Sequence, residues 1–198
     1  MKSLIVLLAA FISLEAFAVK TGTKAPDFTL NGIGSKARKT SLSDFKGKIV
    51  VLEWLNHRCP FVRKHYDSGN MQALQKNYIE KNVIWLSIIS SAPGKEGHVD
   101  NEGAIQDKTV NKSAATDILL DPSGTVGKLY EAKTTPHMFV IDKEGTLVYQ
   151  GAIDSIPGTE KDTIKDAKNY VAQALNDLLA GKKVSVTDTK SYGCSVKY

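Results

Sequence analysis

Hydrophobic and polar positions alternate between two periods along this chain. From residue 24, "KAPDFTLNGIGSKARKTSLSDFKGK" predicts a short strand, a glycine turn, a second short strand and a turn at Gly47. "IVVLEWL", from Ile49 to Leu55, has few polar breaks, as expected for a strand buried on both faces. Met71, Leu74 and Tyr78 recur at helical spacing in a helix that ends near Asn82. A second buried strand follows from Val83 to Ile89, then a loop from Ala92 to Gly103. Asp100 or Asn101 is placed to cap a helix running to about Lys112. "DILLD" predicts a strand, "PSGTVGKLYEA" a turn into a short helix, and "TPHMFVIDKEGTLVYQGAID" a β-hairpin. Thr163 to Leu179 predicts a long amphipathic helix with Ile164, Ala167, Val171, Ala174, Leu175 and Leu178 on one face, ended by Gly181. The rest, "KKVSVTDTKSYGCSVKY", is a polar tail.

Strand–helix alternation predicts a single-domain α/β structure with a central mixed sheet, its early strands parallel and its late hairpin antiparallel. The thioredoxin-like fold satisfies this order. Doubly wound folds satisfy it less well, because they lack a hairpin before the last helix. The first 18 residues stand apart. Lys2, an apolar run from Leu4 to Ile12, and Ala16-Phe17-Ala18 have the layout of a secretory signal peptide cleaved after Ala18. That run is shorter than the ~20 apolar residues a bilayer needs, and no second run of spanning length follows. The reading is therefore of a protein in the periplasm or secreted, with no stable membrane insertion after cleavage. Its domain spans residues 19–183, and residues 184–198 form a tail that carries Cys194. The net charge of +5 is spread along the chain without a basic stripe, which argues against nucleic-acid binding.

A domain of this size does not need disulfides to fold, so its two cysteines call for an explanation. Two thiols in an oxidising compartment allow either a static bridge or a pair that cycles. Cys59 lies in "LNHRCPFVRKHY", after the first buried strand and directly before Pro60, a residue favoured in the first turn of a helix. At a helix N-terminus the unpaired N–H groups and the dipole favour a thiolate. Arg58, Arg63, Lys64 and His57 add positive charge in the sequence around it. Pro136 stands directly before an apolar strand. A cis Thr135–Pro136 bond there would expose backbone groups beside the thiol. Glu53 sits oddly within a buried strand. It is either a proton relay with a raised pKa or a side chain on an open face. Trp54 and Trp85 are expected in the core.

These segments, from "KAPDFTL" through "SLSDFKGK", "IVVLEWLNHRCPFV" and "LLDPSGTVGKLYEA" to the hairpin, together resemble the thioredoxin-like superfamily over roughly residues 20–180. The nearest branch is the peroxiredoxin-like one, the alkyl hydroperoxide reductase and thiol-specific antioxidant proteins. "CPFV" with a terminal "GCSVKY" looks like a bacterial subgroup of it. The resemblance implies that Cys59 is the reactive cysteine and that Pro136 is cis and adjacent to it. Three departures matter. Val62 replaces the second cysteine of a Cys-x-x-Cys motif. Asn56 stands where a peroxiredoxin has Thr. Arg58 or Arg63 would have to replace the distant arginine beside the peroxide.

The expectation is thus an exported thiol-dependent oxidoreductase, with Cys59 the nucleophile and Cys194 a resolving thiol on a flexible tail. Thr135, Pro136, Asn56 and Arg63 would shape the site. Its substrate is a peroxide or a disulfide, its electron donor an unidentified thiol, and it needs no cofactor or resident metal. Two alternatives stand beside peroxide reduction. One is thiol–disulfide exchange. The other is copper binding by His57, Cys59, His65 and His137, whose imidazole and thiolate ligands suit Cu(I). A redox-silent module with a stapled tail is a further possibility.

Overall fold

In the computed structural model, which describes residues 19–34 and 38–198, the core is a seven-stranded mixed sheet in the order β2-β1-β5-β4-β3-β7-β8. The signal-peptide reading falls outside the described residues. The strands are β1 (Thr29–Gly32), β2 (Lys39–Ser41), β3 (Val50–Trp54), β4 (Ile84–Ile89), β5 (Asp117–Leu120), β7 (His137–Ile141) and β8 (Leu147–Gly151). The helices are α1 (Pro60–Asp67), α2 (Asn70–Ile79), α3 (Asn101–Val110), α4 (Thr125–Leu129) and α5 (Tyr170–Leu179). Strands β3, β4 and β5 are parallel, whereas β7 runs antiparallel to both β3 and β8. This is the mixed α/β, thioredoxin-like architecture that the element order predicts.

The pleat explains the continuous apolar runs. Val50, Leu52 and Trp54 of β3 join Leu86 and Ile88 of β4 and Phe139 of β7 on one face, covered by Phe28, Val126 and Tyr130. Val51 and Leu55 join Trp85, Ile89 and Val140 on the other, covered by Val62, Tyr66, Met71, Tyr78, Val171 and Leu175. Successive side chains point to opposite faces, and here both faces are covered, so no position is left for a solvated residue. Trp54 and Trp85 are both fully buried, as expected of core residues. Glu53 shares the second face and is fully buried too, so the open-face alternative for it is ruled out.

Two local expectations change. The long helix expected from Thr163 begins only at Tyr170. Residues Lys161–Asp166 form a 3₁₀ helix and Ala167 is extended. The Asn169 side chain caps the true helix by accepting from the Ala172 N–H at 2.8 Å. The preceding backbone pairs with the segment after β8, through Ser155 N–H to Lys168 O at 3.0 Å and Tyr170 N–H to Ile153 O at 3.0 Å. A cap and a strand-like pairing together outweigh helical periodicity in Ile164 and Ala167.

The second change is the C-terminal tail, which is docked along its length. Asp188 bridges to Gln150 on β8. Cys194–Ser195 forms β9, antiparallel to β6 (Thr134–Thr135), with Thr135 opposite Cys194. Lys197 O accepts from Ala92 N–H at 2.8 Å, and the Tyr198 hydroxyl donates to Ala132 O at 2.7 Å. The tail is therefore a strap laid over the C-terminal end of β3. Alternation too short to predict a strand from sequence suffices when an unpaired edge is waiting for it.

Asn169→Ala tests the placement of the α5 start. Loss of the cap should destabilise the protein by about 1 kcal/mol in urea unfolding. A helix already running from Thr163 would instead gain a few tenths of a kcal/mol from alanine at an interior position.

Candidate active site at Cys59

Cys59 is the N-cap residue of α1, with extended backbone at φ −70° and ψ 125°, and Pro60 occupies the first helical position. Its N–H donates to Asn56 O at 3.0 Å, and its carbonyl accepts from Arg63 N–H at 2.9 Å. The sequence "NHRCP" folds this way because the Asn56 Oδ1 accepts from Arg58 N–H at 2.9 Å, closing an Asx turn ahead of the helix. The thiol has no exposed surface.

Two groups from distant parts of the chain meet it. The Cys59 thiol donates to Thr135 O at 3.1 Å, and the Thr135–Pro136 bond is cis. The Cys194 sulfur lies 2.6 Å from that of Cys59, and the two are not bonded. A covalent bond of ~2.05 Å would need only a small further approach. Gly193 makes the meeting possible. Its φ is +136°, and a Cβ there would fall 2.1 Å from Thr135 O. Burial, then the hydrogen bond and charge of Cys59, push the Cys194 thiol up to about 12. Cys194 is part-exposed and stays protonated at neutral pH, whereas Cys59 holds the helix terminus.

The other residues singled out by sequence separate into two groups. Thr135 and Pro136 lie at the thiol. Arg63 does not join them, because its guanidinium is taken up by Asp67 and Asn111. Asn56 is 2 % exposed, and its Nδ2 has no partner. It packs under Gly97, where a Cβ would come within 2.5 Å of it. The copper alternative loses its ligand set. His57 faces Asp107 at 3.4 Å, His65 pairs with Asn70 at 2.8 Å, and His137 accepts from Lys133 N–H at 3.3 Å. Among the described residues no three His, Cys, Asp or Glu side chains are grouped to hold a metal ion. Burial holds His65 and His137 down to about 4, so both are neutral imidazoles near pH 7.

Beneath the site Glu53 receives four donors: Trp85 Nε1 at 2.8 Å, Ser87 Oγ at 2.9 Å, Tyr66 Oη at 3.1 Å and Gln75 Nε2 at 3.2 Å. Burial raises its pKa above 4.5 despite those donors. The buried lysine–aspartate pair of Lys64 and Asp154, below the strap, had no sequence signal beyond two charges 90 positions apart.

The AhpC/TSA family model matches residues 21–150, and the chain belongs to that family. It carries a thioredoxin-like domain, and the strap with Cys194 lies beyond the matched residues. Thiol-disulfide oxidoreductase ResA of Bacillus thuringiensis subsp. konkukian is 25% identical over 132 residues, covering 67% of this chain and 69% of that protein. A hypothetical protein from Sinorhizobium meliloti 1021 is 26% identical with a TM-score of 0.77, covering 92% of this chain and 96% of that one. The mitochondrial 2-Cys peroxiredoxin of Plasmodium falciparum shares the fold at 17% identity and a TM-score of 0.55, covering 81% and 94% of the two chains.

Glu53→Gln tests the buried carboxylate through pH. A raised folded pKa means that the native state holds the Glu53 proton after the unfolded chain has released it, so stability falls as pH rises above about 4.5. The variant lacks this titration. Its unfolding free energy, measured in urea from pH 4 to 8, should therefore gain steadily on the parent's. A constant difference across that range would mean that Glu53 titrates normally.

Proposed function

We propose that the protein is an exported thiol–disulfide oxidoreductase whose working pair is Cys59 and Cys194. The observation that carries this reading is the 2.6 Å approach of the two sulfurs, brought about by the pairing of β9 with β6. The kinship with ResA, itself a thiol-disulfide oxidoreductase, supports it. The leader-like first 18 residues support export, and no helix among the described residues is long and apolar enough to cross a membrane.

The cycle balances without a cofactor. With the strap lifted, the Cys59 thiolate attacks one sulfur of a partner disulfide. A mixed disulfide forms on Cys59 and the other partner sulfur leaves as thiolate. Cys194 then attacks the Cys59 sulfur, its proton passing to the second leaving thiolate. The partner is reduced and the protein ends with a Cys59–Cys194 bond. The reverse sequence oxidises a dithiol partner. Cys59 begins the attack from its fixed place at the N-terminus of α1, while Cys194 travels with the strap. Thr135 and Pro136 flank the reacting sulfur on the substrate side.

Membership of the AhpC/TSA family favours a second reading, peroxide reduction. Here the Cys59 thiolate would attack one peroxide oxygen and become a sulfenic acid, the other oxygen leaving as water or an alcohol, and Cys194 would then condense with it to the same disulfide, releasing a water. Arg63 would have to leave Asp67 and Asn111 to assist.

Reduced protein treated separately with oxidised glutathione and with limiting hydrogen peroxide distinguishes the readings by mass spectrometry. With glutathione, the parent should form the intramolecular bond, Cys194→Ser should stop as a glutathione adduct on Cys59, and Cys59→Ser should give no intramolecular product. Absence of the Cys59 adduct overturns the exchange reading. Rapid conversion of Cys59 to sulfenic acid by peroxide, with no reaction towards glutathione disulfide, puts peroxide reduction in its place.

A further inference from the structure

The strap is held by more than its two-residue strand. Two positions before Cys194, Tyr192 turns inward. Its ring packs edge-on against Phe61 of α1, with centroids 5.9 Å apart. Its hydroxyl donates to Asp154 Oδ1. Asp154 lies just beyond β8 with 2% of its side chain exposed, and its other oxygen is 3.4 Å from Lys64 Nζ. Lys64 is on α1, and its side chain has no exposed surface. Its ammonium also donates to Ile156 O at 2.9 Å and lies 5.9 Å from the Tyr192 ring centroid. Ile156 N–H in turn donates to Asp154 Oδ1 at 3.1 Å. The neutral imidazole of His65 stands 3.9 Å from the same carboxylate.

Lysine and aspartate are almost never wholly buried unless paired, and such a pair is weak evidence for stability because both ions must be desolvated. What this pair does is fix geometry. It gathers the helix that carries Cys59, the segment after β8, and the strap at Tyr192, two positions from Cys194. The arrangement also creates a conflict that the reaction must resolve. With the strap down the two sulfurs meet, but Cys59 is wholly covered. A partner reaches Cys59 only with the strap up.

We propose that Lys64, Asp154 and Tyr192 form a latch that positions Cys194 over Cys59 and sets the balance between the closed and open strap. They are positioning residues, since none touches the reacting sulfurs. This assignment rests on the reading of Cys59 and Cys194 as a redox pair. Its consequence is a pair of opposed effects. Weakening the latch exposes Cys59 and lowers the effective concentration of Cys194 beside it. A merely structural contact would not move the two in opposite directions.

Tyr192→Phe removes the hydroxyl and keeps the ring against Phe61. In the reduced full chain, alkylation of Cys59 by iodoacetamide, followed by peptide mass spectrometry, should quicken about tenfold, the scale of one hydrogen bond to a charged group. In a fixed glutathione buffer, the ratio of the intramolecular disulfide to the Cys59–glutathione mixed disulfide, which forms with the strap up, should fall by about the same factor. Far-UV circular dichroism should match the parent. Unchanged Cys59 alkylation, or slower alkylation, overturns the latch. Faster alkylation in a chain whose parent forms no intramolecular disulfide leaves the latch in place as a cover and overturns the redox pairing instead.

Discussion

The antiparallel pairing of β9 with β6 is the contact on which the site depends. It sets Cys194 opposite Thr135, whose carbonyl already accepts from Cys59, so one strand register brings both sulfurs to the same point. A shift of one residue would turn the side chain of Cys194 to the other face. Gly193 admits this approach, because any side chain there would collide with the Thr135 carbonyl. In the proposed reading the chain achieves with residues 135 positions apart what a Cys-x-x-Cys motif achieves within one helical turn. The distant thiol rides on a segment held by hydrogen bonds, one of them to the buried Asp154, so in that reading disulfide closure follows the position of the strap.

The surroundings divide the work. The parallel strands β3 and β4 end at the site, and α1 begins there, so Cys59 sits where the sheet meets its helix. In the proposed cycle the strap carries the partner that moves. Two surface clefts, one lined by Phe45, Val50 and Ile141 and one by Ile49, Val148 and Leu178, lie at the other end of β3 and do not serve the thiols. Glu53 stands out on the covered face of β3. It uses four donors from three elements, Tyr66, Gln75, Trp85 and Ser87, and so ties α1 and α2 to β3 and β4 directly beneath the N-terminus of α1.

Much of this was legible in the sequence because it is local. The unbroken run from Ile49 to Leu55, Pro60 after Cys59, and Pro136 before an apolar strand each state their own structure. The hairpin and the Asp100 cap, which accepts from Gly103 N–H at 2.8 Å, are equally local. Non-local features were not legible. The late start of α5 follows from pairing with the segment after β8, and no periodicity in Thr163–Ala167 records that partner. The docking of the tail depends on an edge at Thr134–Thr135 that exists only after folding. Lys64 reads as one more charge beside the cysteine and is instead buried against Asp154. Arg63 was placed at the site by its nearness in sequence. On the helix it points to Asp67, four residues on, and to Asn111. Asn56 keeps its place before the helix but acts on the turn through Arg58.

Non-reducing peptide mapping of the air-oxidised, monomeric protein tests the central claim most directly. Free thiols would be alkylated before digestion. The account predicts one disulfide-linked peptide pair joining Cys59 to Cys194, with neither cysteine alkylated until reductant is added. Two freely alkylated cysteines, or a bond only between separate chains, would contradict the account.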